Sequence, residues 1–433
     1  MVMWRSIKVN VHLAMLFLAP LAVAQSLPED DGRVHEGVAS CASAVCHGRV
    51  NEADDETVWL NEYRVWLRQD YHSRAYRTLM TQQSQAIAAK LGLPAAHTAD
   101  LCLDCHADNV PAERRGARFQ IDDGVGCEAC HGGAGDWLEN HAERGTSHAD
   151  NIAEGMYPTD QPVARAELCL SCHLGTRDKL ATHRIMGAGH PRLSFELETF
   201  SVNQPAHYSV DEDYVQRKGK PDTVAIWVSG LAMNAATLFD LLASEAYPGN
   251  ALFPELSFFQ CHACHHGMND LRWQSDARAP ALPPGSVRLN DGPLTVLLPA
   301  LAVLVPERAE DIAAQLQALH AAAENDPQSL LDTASGISSA LGAVAAALAD
   351  RRFDASLQRS LRRELLASSA ADRFGYFTAA EQAFLAIETL SIALGDSESL
   401  APQLDALFEA LGSETSYVPD QYAVRARQML EAL

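Results

Sequence analysis

The chain has 433 residues, with 33 Lys and Arg against 56 Asp and Glu and a formal net charge of −23. Such an acidic balance disfavours nucleic acid and anionic lipid as partners and favours basic patches on other proteins, or serves only to keep the chain in solution. All ten cysteines fall in pairs, each followed directly by a histidine.

The N-terminus reads as an export signal. Residues 1–24 carry Arg5 and Lys8, then the apolar run 13–21, then Ala22-Val-Ala24 before Gln25. Removing it takes two basic and no acidic residues, leaving 31 against 56, or −25. No later apolar run is expected to cross a bilayer. A soluble periplasmic location is expected, or an extracellular one.

Residues 25–275 hold the cysteine pairs. They are Cys41…Cys46-His47, Cys102-Leu-Asp-Cys105-His106, Cys127-Glu-Ala-Cys130-His131, Cys169-Leu-Ser-Cys172-His173 and Cys261-His-Ala-Cys264-His265. Four have the two-residue spacer of c-type haem attachment; the first has four residues. Two thiols add across the vinyl groups of one porphyrin, and the next histidine becomes the proximal iron ligand. Zinc sites would use two such pairs per metal and leave one over. Redox pairs need no following histidine, and disulfides between such near neighbours would be strained. Five covalent haems c are expected. About 225 residues from Cys41 to His265 would then serve five porphyrins, too little chain for an ordinary side-chain core as well, so the haems themselves should fill the interior.

The sixth iron position decides between carrying electrons and doing chemistry. Eleven further histidines follow the signal. His72, His141, His190, His183, His207 and His266 are the distal candidates. His72 follows a helix with Trp59, Tyr63 and Trp66 at three-to-four spacing, and His190 lies in a Gly-Ala-Gly-His stretch. His35, His97, His148 and His262 read as surface residues, and His320 falls in the haem-free part. Met186, Met233 and Met268 are rival sixth ligands, with core packing the alternative for Met233.

Residues 276–290 form a Pro-rich linker, and residues 291–433 contain no cysteine. Ala and Leu at helical spacing predict helices over 293–305, 308–324, 328–349, 355–368, 379–393, 400–411 and 419–433, an α-helical bundle. The fold class expected is mainly α: a multihaem cytochrome c fold with little regular sheet and a haem-filled core, then a haem-free helical bundle. The bundle would dock partners, join subunits, or shield the fifth haem.

From residue 38 to 175 the chain resembles the multihaem cytochromes c of the cytochrome c-554 group. The resemblance rests on the first motif, Trp66…His72-Ser-Arg-Ala-Tyr76 and Cys102-Leu-Asp-Cys105-His106. It extends through Gly124-Val-Gly-Cys127-Glu-Ala-Cys130-His131-Gly-Gly, Trp137…His141 and Cys169-Leu-Ser-Cys172-His173. It implies that His72 caps the haem of His131 and His141 that of His47. It further implies that the fourth haem takes His183, His190 or His207, and that the haem of His106 is open unless His183 or His266 closes it. The longer first spacer, the fifth motif and the helical C-terminal part depart from that group.

Three functions are consistent with this reading. The first is an electron carrier passing electrons between a redox donor and acceptor. The second is an oxidoreductase acting on a small nitrogen or sulfur species at one five-coordinate haem. The third is a subunit of a haem-stacked filament. No Cys-X-X-Cys-Lys motif of pentahaem nitrite reductases is present.

Overall fold

The computed structural model describes residues 26–50, 59–244, 255–265, 287–323 and 326–433. The export signal, His266, Met268 and most of the linker lie outside the described residues. Among those residues there is no strand, only isolated bridges such as His35 to Arg115 and Phe259 to Leu289. The mainly-α class holds.

The haem-motif part is built from short helices: α1 (Val38–Cys41), α2 (Glu62–Gln69), α3 (Ala75–Leu79), α4 (Gln82–Leu91), α5 (Asp100–His106) and α6 (Cys127–His131). These are followed by α7 (His148–Glu154), α8 (Pro162–His173), α9 (His183–Ala188), α10 (Leu197–Asn203) and α11 (Glu212–Lys218). Then come the long α12 (Thr223–Ala243) and the single turn α13 (Cys261–Cys264). The bundle follows as α14 (Gly292–Leu304), α15 (Pro306–Ala322), α16 (Pro327–Ala349), α17 (Ala355–Ala370), α18 (Phe377–Leu394), α19 (Ala401–Leu411) and α20 (Pro419–Ala432). All seven helices predicted from periodicity are present, and their ends follow the Pro and Gly breakers.

Side-chain packing is unevenly distributed. One continuous apolar core runs from Ala166 and Leu170 on α8 through α12 to Met429 on α20. Among the described residues, the motif-bearing part has one small cluster of its own: Leu79, Ala88, Ala96, Leu103 and Ala107. A boundary at the linker therefore does not match the packing. Helix α12 precedes the linker, yet it packs on α14, α16 and α18. Its residues are apolar on every side, as expected of a helix enclosed by others, and Trp227, Val228 and Ala232 have no exposed surface.

Three helices are long and apolar enough to cross a membrane by length and composition: α12, α16 and α18. The expectation that no run reaches that length is thus corrected. Its error has a physical source, since 89% of the apolar window of α12 is covered by protein, and a core helix and a membrane span read alike in composition.

Polar contacts lock the two parts together. Arg192 pairs with Glu381 and Glu414, both at 3.2 Å. Gln260 Nε2 donates to Thr378 Oγ1 at 3.0 Å, and Phe353 N donates to Asp222 Oδ2 at 3.1 Å.

Candidate haem sites

Each two-residue spacer lies on a helix. Cysteines at i and i+3 and a histidine at i+4 share one helical face, so α5, α6 and α8 each present two thiols and an imidazole together. In the first motif α1 ends at Cys41, and the longer spacer folds as a turn: Cys46 N donates to Ser43 O at 3.0 Å and His47 N to Cys41 O at 3.1 Å. Gly48 is needed to close this turn, because a Cβ there would lie 2.0 Å from Ala42 O. No two of the ten cysteines are joined as a disulfide.

The histidines arrange themselves in five facing pairs. Ring centroids are 6.2 Å apart for His47–His141, 6.2 Å for His72–His173, 6.4 Å for His106–His190, 6.2 Å for His131–His207 and 6.0 Å for His183–His265. Every proximal candidate faces one distal candidate. An imidazole nitrogen binds a first-row metal at about 2.0–2.1 Å with its ring centroid about 1.1–1.2 Å behind, so two rings across one ion stand about 6.2–6.6 Å apart. The pairs match that span closely. Interplanar angles vary from 12° for His47–His141 to 88° for His131–His207, as they can when each ring turns about its own metal–nitrogen axis.

Five of these rings have a hydrogen-bond partner behind Nδ1. His47 Nδ1 bonds to Glu62 at 3.0 Å and His72 Nδ1 to Asp70 at 2.8 Å. The Nδ1 atoms of His106, His141 and His190 bond to the carbonyls of Ala75, Leu138 and Pro191. In all five, Nε2 is left for the facing ring, and the Nδ1 partner fixes tautomer and orientation, the usual arrangement behind a metal-bound imidazole. By contrast, His148 uses Nε2 on Asp160 and His320 uses Nε2 on Asp291. His35, fully buried, uses both nitrogens, on Asp108 and Pro28 O. His97 sits edge-on to Tyr76 and His262 Nδ1 bonds to His265 O; neither faces a proximal ring. Met233 is a buried core residue of α12.

Burial keeps several facing rings neutral, the form that can ligate iron. It depresses His131 to about 3 and His173 to about 4, and lowers His106 and His207 too. Carboxylates act oppositely at two rings: the hydrogen bond that His72 donates to Asp70 raises His72, and the one that His47 donates to Glu62 raises His47. At Asp70 burial favours the neutral acid, but bonds from His72 and Gln204 outweigh it and hold the carboxyl at about 2.

Two pairings expected from the resemblance need separate treatment. His141 does face His47. His72, expected opposite His131, instead faces His173, and His131 faces His207. The physical reason lies in the segment after α10: Gln204 Nε2 donates to Asp70 Oδ2 at 2.9 Å, which draws this stretch toward the motifs and brings His207 to His131. The His106 ring, expected to be open, faces His190.

Sequence reasoning missed the carboxylates around these rings. Asp70 and Glu62 hold candidate ligand rings, and Glu128, between the two cysteines of the third motif, is 2% exposed. Its carboxylate accepts from Glu36 N, Gly37 N and Ala134 N at 2.6–2.8 Å, tying that motif to the turn before α1. The Gly-Val-Gly stretch ahead of Cys127 packs on the His72 backbone. Val125 N donates to His72 O at 3.1 Å, and a Cβ on Gly124 (φ 81°) would meet the same oxygen at 2.8 Å.

Residues 40–132 match the family model described as "Cytochrome c554 and c-prime". No curated protein and no solved structure matches the chain. The family match, covering the first three motifs, supports a c-type cytochrome with covalently bound haem and a part in electron transfer.

Proposed function

We propose that this protein is an exported pentahaem cytochrome c that carries electrons between redox partners, each of its irons held by two histidines. The observation that carries this reading is the set of five proximal–distal ring pairs at 6.0–6.4 Å. Haem c bound there supplies one-electron iron chemistry. The thiols anchor the porphyrins at the five Cys pairs. His47, His106, His131, His173 and His265 take one side of the irons and His141, His190, His207, His72 and His183 the other. With both axial positions filled by protein, no site is left for a substrate, which favours the carrier over the oxidoreductase.

Export by residues 1–24 places the protein where covalent haem is attached, in the periplasm. The charge of −25 after cleavage suits donors and acceptors with basic docking faces. The apolar helix α12 does not require a membrane in this reading, because its apolar surface serves the core, and one side of α16 and α18 does the same.

The test is the spin state of the purified ferric protein. Mass spectrometry should show five haem equivalents on a chain beginning at Gln25. Electron paramagnetic resonance should show low-spin haems alone. The near-parallel rings of His47–His141 and His183–His265 (12° and 28°) should give rhombic signals. The near-perpendicular pairs His72–His173, His106–His190 and His131–His207 (77–88°) should give strongly anisotropic ones, since crossed planes leave the iron dπ orbitals nearly degenerate. His72→Ala should turn one haem high-spin with all five still attached. A high-spin signal in the unmodified protein that shifts with cyanide or nitric oxide would overturn the carrier reading in favour of catalysis.

A further inference from the structure

The motifs follow one another in space in a different order from the sequence. The Cys41 and Cys127 thiols lie against each other, as do Cys105 and Cys172. Cys172 Sγ is also 3.8 Å from Asp104 O inside the second motif, and Cys130 lies within electrostatic reach of Cys169 and Cys172. The first motif thus neighbours the third, the third the fourth, and the fourth the second. Among the described residues, the fifth motif is joined to these by α9 alone of the helices that carry or end at a facing histidine. His183, its first residue, faces His265, while His190, just past its end, faces His106. The six residues of this helix rise about 9 Å.

The short helix is held on three sides. Thr182 Oγ1 accepts from Ile185 N, capping its start. Glu255, six residues before Cys261, accepts from His183 N at 2.8 Å. Helix α4 clamps the rest: Arg184 Nη2 donates to Leu91 O and Lys90 Nζ to Ala188 O, both at 3.0 Å. Gly189, at φ 122°, ends the helix and turns the chain so that His190 points to His106.

We propose that α9 is a strut with a distal ligand at each end, holding the haem of His265 beside the haem of His106 and extending the electron path of the first four haems to the fifth. The path then runs from the His47 haem, through those of His131, His173 and His106, to that of His265. Its two ends are the haems of His47 and His265. This inference rests on the bis-histidine reading above.

Paired variants test it. His183→Ala and His190→Ala should each yield one high-spin haem in the ferric protein. In the double variant, magnetic coupling between neighbouring irons should broaden the high-spin signal below the sum of the singles. His183→Ala combined with His141→Ala, which opens the two ends of the path, should give the plain sum. Additive spectra in His183→Ala/His190→Ala would overturn the strut. Single variants without a high-spin haem would instead overturn the bis-histidine reading, so the two failures are distinguishable. Should the alanine variants lose haem, His183→Met keeps an axial ligand and raises the potential of the fifth haem. In a titration followed by paramagnetic resonance, that earlier-filled charge should shift the strongly anisotropic His106 signal to more negative potential and leave the rhombic His47 signal unmoved. The converse pattern would also refute the proposal.

Discussion

The motif-bearing part and the bundle solve the problem of an interior in opposite ways. In the bundle, Leu, Ile, Val and Ala from α12 and α14–α20 meet in one continuous core. In the motif-bearing part the compact cluster has two leucines, Leu79 and Leu103, and otherwise alanines. Burying a leucine contributes about 1.5–3 kcal/mol, whereas ordering one residue's backbone costs about 1–2 kcal/mol. Such a cluster cannot order the surrounding helices, and in the proposed reading the porphyrins supply the missing apolar volume. In that reading, helix spacing in one part is set by side chains and in the other by a cofactor.

The widest break in this comparison is removal of haem. With the ten cysteines changed to alanine, the motif-bearing part should lose its fold while the bundle with α12 keeps its helices. Limited proteolysis should digest residues N-terminal to α12 and leave a resistant C-terminal fragment, with helical circular dichroism retained. A chain resistant throughout would show that side chains alone suffice.

A smaller break is confined to the bundle. Asp291, fully buried, receives two bonds from Arg288 at 3.1 and 2.9 Å, one from His320 at 2.8 Å and one from the Tyr376 hydroxyl. Burial opposes its ionisation, but Arg288 and His320 prevail and hold the carboxyl far below the usual range. Asp291→Ala would strand the partly buried guanidinium of Arg288 and the buried His320, at a cost of up to about 3–5 kcal/mol. Chemical denaturation should register that loss, while the haem potentials should stay where they were.

The same contrast explains what could be read from the sequence. The bundle helices were legible because amphipathic spacing and Pro and Gly breakers report directly on a side-chain core. The helix α12 escaped, since a run such as Val-Ala-Ile-Trp-Val-Ser-Gly-Leu-Ala-Met carries no polar face to set a period. In the motif-bearing part the thiol pairs announce themselves locally. The facing of His72 with His173, or His131 with His207, depends on contacts between residues about 75 to 100 positions apart and has no local signature. Two carboxylates did leave a trace, as Asp70 stands two residues before His72 and Glu128 sits inside a motif, but only the geometry gives those positions meaning.

The finest distinction lies between two buried aspartates, each bonded to a histidine. Asp291 takes Nε2 of His320 and so removes the nitrogen that would reach a metal; the pair is a brace between helices. Asp70 takes Nδ1 of His72, as well as the His72 backbone N and Gln204 Nε2, and leaves Nε2 toward His173. A carboxylate behind an axial imidazole makes it a stronger donor and favours ferric iron. Asp70→Asn keeps an acceptor of the same shape but removes the charge, so the haem of His173 should become easier to reduce, its potential rising by tens of millivolts. The low-spin signal of that haem should persist, because the ring still has its hydrogen bond. Asp291→Asn, the matching change in the bundle, should cost stability and leave all five potentials unmoved. If Asp70→Asn behaved like Asp291→Asn, with stability lost and the potential unchanged, Asp70 would be another brace and the assignment of His72 as a ligand would lose its support.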